Sequence, residues 1–312
     1  MTHWRNVMSI KIYVDAASNL FKEILDKRNS SVVVMPMSLK IGEKEYLCYS
    51  DEIDVPAMSK DFYGKMKEGA KPKTSLINPS IFVETARKEI ERGDEVVFVT
   101  LASGISGTYQ SASLAAREVN DECGKEVVKV IDSKTAGFGE GMVALKAEQY
   151  ASEGLSLEEV VRKTEEYVKR VRSEFTVDNI KYLANTGRVS NFTAILANVL
   201  MIKPLLYGSD MAKIVVTSKV HGRKNAIKAL AAQVTNNIAD KDSLVYIAHC
   251  DCLDDAKELE KKLNDGGIKN IEIYYYDLVT GSHVGPGTVA VFYEGHDRTI
   301  EHKSLISKVL KK

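Results

Sequence analysis

Residues 95–101 read Glu-Val-Val-Phe-Val-Thr-Leu, and a run of small residues follows them with no spacer. A strand carries Val96, Val97, Phe98 and Val99 in succession only if both of its faces are buried, which is the situation in a parallel sheet covered by helices. The turn Ser103-Gly104-Ile105-Ser106-Gly107-Thr108 then leads into a helix rich in Ala and Ser that runs to Val119. Strand, small-residue turn and helix in this order specify an open α/β unit. In such a unit ligands bind beyond the carboxyl ends of the strands.

The surrounding chain repeats the alternation. Residues 10–14 predict a strand ending at Asp15, and Ser18 opens a helix over 19–28 with Leu20, Phe21, Ile24 and Leu25 at helical spacing. Residues 32–39 predict one buried strand, and 62–67 lie in a short helix. Pro79 starts a helix whose stripe is Ile81, Phe82, Ala86 and Ile90. Residues 127–131 predict a strand and 141–151 a helix. The long charged helix over 157–172 would bridge to a second unit, so the expected domains are 1–156 and 157–312. In the second, 175–177, 214–220, 244–249, 271–278 and 289–293 predict strands, and 224–238 and 254–263 predict helices. The stretch after Ser190, with Phe192, Ile195, Leu196, Val199, Leu200 and Met201, reads as a helix apolar on most sides, suited to a core or to a cavity wall. The series implies a mostly parallel, helix-covered sheet in the first domain and a mixed α/β second domain.

Charge narrows the function. The 43 Lys plus Arg are matched by 43 Asp plus Glu, which disfavours nucleic-acid binding, because phosphate contacts need a basic excess. An apolar fraction of 44% excludes a disordered chain. Cys48, Cys123, Cys250 and Cys252 are too few for a disulfide scaffold and lack zinc-knuckle spacing, so free thiols in a reducing cytoplasm are expected. No signal-peptide stretch is expected at the start. The apolar run 189–202 is shorter than the roughly 20 residues a membrane span needs.

The turn 103–108 has two readings. Its hydroxyls are good helix caps, and three hydroxyls with two glycines before a helix also suit an anion. It lacks the spacing of a nucleophile elbow and the Lys of a phosphate-binding loop. Gly137, Gly139 and Gly141 only partly match a dinucleotide fingerprint. Thr74 and Ser75 lie at another loop-to-helix approach, where a local turn is the alternative. Asp15 caps the following segment or orients a ligand hydroxyl. His283, among Gly281, Gly285, Pro286 and Gly287, satisfies backbone carbonyls or offers a hydrogen bond to a carboxylate. Arg188 contacts an anion or a partner, or is solvated. The other histidines show no metal-ligand spacing.

Taken together, these segments resemble the DegV family, whose members include the fatty-acid-binding subunits of bacterial fatty acid kinases. The resemblance covers nearly the whole chain. It rests on residues 12–20, Thr74-Ser75, residues 101–112, Gly187-Arg188-Val189-Ser190, Lys203-Pro204 and residues 281–287. It implies a two-domain α/β fold with a long-chain fatty acid held between the domains. Thr74, Ser103 and His283 would contact or orient the carboxylate, with Ser75 and Ser106 nearby and Arg188 at the head group or a partner surface. A separate ATP-dependent kinase subunit would phosphorylate the carboxylate to an acyl phosphate. The implied protein is cytoplasmic, has no catalysis, cofactor or metal of its own, and makes at most transient contact with a membrane surface. Two departures alter the head-group network. Ala16 and Ala17 follow Asp15 where the family has Ser-Thr, and Leu76-Ile77 follow Ser75 where it commonly has Gln-Pro.

The carrier reading is physically coherent. Burying about 15 methylenes is worth on the order of 12 kcal/mol before ordering and desolvation costs, while the carboxylate needs hydrogen-bond partners wherever it is buried. The main alternative is an enzyme using Ser106 or His283 for phosphoryl or acyl transfer on a small anionic substrate. A third reading is an interaction protein with a purely structural cavity.

Overall fold

Val96, Val97, Phe98 and Val99 are at most 1% exposed, because their strand is paired on both edges and covered on both faces. The computed structural model describes residues 9–189 and 201–300. In chain order the first elements are β1 (Ile10–Asp15), α1 (Lys22–Lys27), β2 (Val33–Met35), β3 (Ser38–Ile41), β4 (Lys44–Leu47), α2 (Val55–Lys67) and β5 (Lys73–Thr74). Next come α3 (Pro79–Glu91), β6 (Glu95–Thr100), α4 (Thr108–Cys123), β7 (Val128–Asp132), α5 (Phe138–Ser152) and α6 (Leu157–Val168). The rest are β8 (Val171–Thr176), α7 (Lys181–Thr186), β9 (Ile202–Gly208), β10 (Ile214–His221), α8 (Arg223–Asn237), β11 (Val245–His249), α9 (Leu253–Asp265), β12 (Ile271–Tyr275), α10 (Leu278–Val284) and β13 (Val289–Glu294).

A parallel sheet runs in the order β2-β1-β6-β7, and a mixed sheet in the order β10-β9-β8-β13-β11-β12, with only β11 and β12 parallel. A small antiparallel sheet, β4-β3-β5, completes the fold. The two large sheets share apolar contacts. Phe138, at the start of α5, stacks on Tyr246 of β11 at 4.2 Å and meets Phe292 of β13. A second core lies between β11, β13 and the helices α8 and α9, around Leu230, Leu259 and Val291.

Several sequence expectations are corrected. The helix expected over 19–28 begins only at Lys22, because Asp15 caps a 3-10 turn at Ala16–Ser18 and Asn19 takes a left-handed conformation. The strand expected over 32–39 is two strands in two sheets, broken at Pro36, which cannot donate to a ladder. Ile81 is exposed, and α3 buries Phe82, Val83 and Ala86 instead. The charged helix expected over 157–172 ends at Val168 and is no bridge. It buries Leu157, Val160, Tyr167 and Val168 and packs on α5 and β7. The strand expected to reach Leu278 stops at Tyr275, and Leu278 starts α10. Gly139 and Gly141 answer close packing, since a Cβ there would strike Thr135 and the Ser18 carbonyl. The apolar helix expected after Ser190 falls on 190–200, outside the described residues, except for its last residue, Met201, which is an exposed turn residue with positive φ just before β9. No helix among the described residues is long and apolar enough to cross a membrane, and all four cysteines are unpaired.

Candidate functional site

The parallel sheet reverses its strand order between β1 and β6, the point where open α/β sheets form ligand crevices. Asp15 joins the two strand ends there. One carboxylate oxygen accepts the Ala17 N–H at 2.9 Å and the other the Leu101 N–H at 3.0 Å. Beyond these ends, Leu101 and Ala102 face Phe175 of β8, Gly208 of β9 and Ile214 of β10 across a cavity closed from the side by α10. The centre of a water molecule can occupy about 170 Å³ of it.

The lining is mostly apolar, with Met37, Leu101, Ile105, Phe175, Leu183 and Val279 among its walls. Its charged members among the described residues are Lys134, Arg188 and Lys213, with no Asp or Glu. His283 points from α10 to β5, where its Nε2 lies 3.1 Å from the Thr74 hydroxyl. Burial, reinforced by the Arg188 charge, pulls the His283 pKa down to about 4, so the ring is neutral near pH 7. Its Nδ1 is buried with no hydrogen-bond partner. The Arg188 guanidinium donates to the carbonyls of Ile105, at 3.3 Å, and Thr186. No carboxylate among the described residues pairs with it. A cation lodged against carbonyls next to a neutral imidazole and a hydroxyl makes a receptor for an anionic head group.

Five of the six residues singled out from sequence, Thr74, Ser75, Ser106, Arg188 and His283, line this one cavity. Thr74 and His283 come together across 209 positions of chain. Ser106 also closes its own turn, accepting the Thr108 N–H at 3.2 Å. Ser103 is not part of the lining. Its hydroxyl donates to Asp132 at 2.6 Å and its N–H donates to the same carboxylate, so it holds the turn against the end of β7. His283 sits on a regular helix, and the unusual backbone begins only after it, at Gly285 and Gly287, both with positive φ. Sequence reasoning missed Lys134 and Lys213. Lys134 had a signal, its place just past the carboxyl end of a parallel strand, whereas Lys213 lies in the β9–β10 turn, where nothing in the sequence marks it. No group of three or more potential metal ligands occurs among the described residues.

Comparison with known proteins finds the same family and fold throughout. A family model described as an uncharacterised protein of the DegV family matches residues 9–296. A DegV domain-containing protein of Clostridium perfringens is 32% identical over 286 residues, covering 91% of this chain and 97% of its own. Among solved structures, a fatty-acid-binding DegV family protein of Streptococcus agalactiae is similar with a TM-score of 0.80 and 26% identity, over 91% of this chain and 98% of that one. A DegV family protein of Ruminococcus gnavus, refined with vaccenic acid, is similar with a TM-score of 0.78 and 26% identity, over 91% and 99% of the two chains.

Proposed function

The chain belongs to the DegV family, and from that premise we propose that it is a fatty-acid-binding carrier. The observation that carries this reading is the cavity's polarity: apolar walls, Arg188 beside neutral His283 and Thr74, and, among the described residues, no carboxylate paired with Arg188 and no acidic residue in the lining. The acyl chain takes the space between the two sheets. The carboxylate accepts hydrogen bonds from Arg188, from Thr74 or His283, and from the Ser75 and Ser106 hydroxyls at the turns. The fatty-acid-binding description of the Streptococcus relative and the vaccenic acid refined with the Ruminococcus relative support the choice of ligand.

In this reading the protein has no catalysis of its own and presents the carboxylate, in the cytoplasm, to a separate ATP-dependent kinase, then holds the acyl phosphate. Lys134 and Lys213 add positive charge to the same cavity, which suits the additional charge of the phosphorylated head. Leu76 in the lining is half exposed, a foothold for transient contact with a membrane surface during loading. The chain divides into two units that meet at the cavity; the sequence suggests 156–157 as the boundary, and the packing of α6 on α5 and β7 supports moving it to the end of that helix, near Val168. Denaturing extraction of the purified protein followed by mass spectrometry tests the reading. A stoichiometric long-chain acid is expected, and its absence together with no uptake of added palmitate or oleate would overturn it.

A further inference from the structure

Directly behind the cavity turn, three carboxyl groups from three elements meet in the core. Asp15 ends β1, Glu140 lies in the first turn of α5, and Asp277 caps α10, the helix that carries His283. They are 1%, 0% and 0% exposed. Asp15 and Asp277 face Glu140, and Asp277 is faced in turn by Cys48, Tyr63, Tyr276 and Cys250. None of these groups is a cation. The cluster is tied in on every side. Asn19 accepts the Asp277 N–H at 2.7 Å and donates to the Tyr275 carbonyl at 2.8 Å, and the Gly137 N–H at the head of α5 reaches the Ala17 carbonyl at 2.7 Å.

The two contacting carboxyls differ in their hydrogen bonds. Both Asp15 oxygens accept a backbone N–H, which favours the ionised form. Both Glu140 oxygens are buried with no hydrogen-bond partner, although the side chain lies toward the Asp15 carboxyl and its backbone N–H. Two acceptors approach each other in a dry core only if one carries a proton. We propose that Glu140 is protonated in the folded protein and donates to Asp15, which makes it a positioning residue for the cavity turn. Its hydrogen bond holds the Asp15 carboxylate, the carboxylate holds the Leu101 N–H, and Leu101 begins the segment that lines the cavity. Desolvation by burial, pushing the Glu140 carboxyl well above its usual range, acts in the same direction.

The link to ligand binding rests on the proposed function, whereas the proton does not, and the test separates them. Glu140→Gln mimics the protonated acid. A carboxyl that keeps its proton only when folded loses stability as pH rises above its unfolded value of 4.5. The melting temperature of Glu140→Gln minus that of the wild type should therefore grow by roughly 2–3 °C per pH unit between about pH 5 and 8. A constant difference overturns the proposal. In the infrared, wild type minus Glu140→Gln at about pH 7 should show a carboxylic acid carbonyl band, and its absence overturns the proposal independently of melting. For positioning, Glu140→Ala should weaken fluorescent palmitate binding roughly fivefold or more and Glu140→Gln should restore it. Wild-type affinity in Glu140→Ala overturns the positioning role. If wild-type protein takes up no palmitate, the proposed function fails, and the melting and infrared measurements still decide the proton.

Discussion

The turn that follows β6 separates two clusters with opposite electrostatic problems. On one side is the cavity, where His283 is neutral and, among the described residues, Arg188 has no carboxylate partner and no carboxylate lines the space. On the other is the Asp15, Glu140 and Asp277 cluster, three buried acids without a cation. Each would be relieved by what the other holds, yet the backbone of the turn keeps them apart. On the proposed assignment Glu140 keeps its proton and Asp15 its backbone donors, while the cavity keeps its positive charge. On the proposed function, a site that receives a carboxylate has to keep the protein's own carboxylates out, and here Asp15 is held by the Ala17 and Leu101 N–H groups and Asp132 by Ser103 and the Lys134 N–H.

The comparison is most exposed to pH. His283 titrates near 4 when folded and near 6.5 when unfolded, so the unfolded chain binds the additional proton and stability falls as pH drops through that window. The loss is on the order of 3 kcal/mol for the ligand-free protein, and denaturant melts of His283→Asn should lack it. The acid cluster acts in the opposite direction from about pH 4.5 upward, so the two effects oppose each other below pH 6.5 and the single variants His283→Asn and Glu140→Gln separate them. Next in size is Arg188→Gln. A charge-assisted hydrogen bond of about 1.5–3 kcal/mol predicts a loss of roughly 10- to 100-fold in palmitate affinity by titration calorimetry. Thr74→Val should cost about 2- to 10-fold, and less than that when His283 is already alanine, because the two share one hydrogen bond. Smallest is Ser103→Ala. It should lower stability by about 1–2 kcal/mol through Asp132 while changing palmitate affinity by less than about threefold, and a larger affinity loss would return Ser103 to the head group.

Much of the fold could be read from periodicity, and the failures have local causes. β6, β7, β11 and β13 are runs of β-branched and aromatic residues and were found nearly to the residue. β9 was missed because Ile202 adjoins the apolar stretch before it, and because Pro204 argues against a central strand. The sheet admits that proline next to a register shift at Val216/Ser218 of β10. At the site, the hydroxyl turn and the glycines around His283 were visible, but the Thr74 to His283 contact depends on tertiary folding across both sheets. Ser103 shows the limit of reading by residue type, since a serine in a promising turn serves equally well as a bracket to Asp132. Glu140 shows the same limit from the other direction. An acid in the first turn of a helix is ordinary in sequence, and only its complete burial without a hydrogen-bond partner distinguishes it.

The central claim is that the cavity selects an anionic head on an apolar tail. Titration calorimetry of lipid-free protein with palmitate and with hexadecanol at about pH 7.5 tests it most directly. One-to-one palmitate binding is predicted, at least roughly tenfold tighter than the alcohol and reduced to near the alcohol's affinity by Arg188→Gln. Equal affinity for the two ligands in the wild type, or a preference that survives the loss of Arg188, would contradict it.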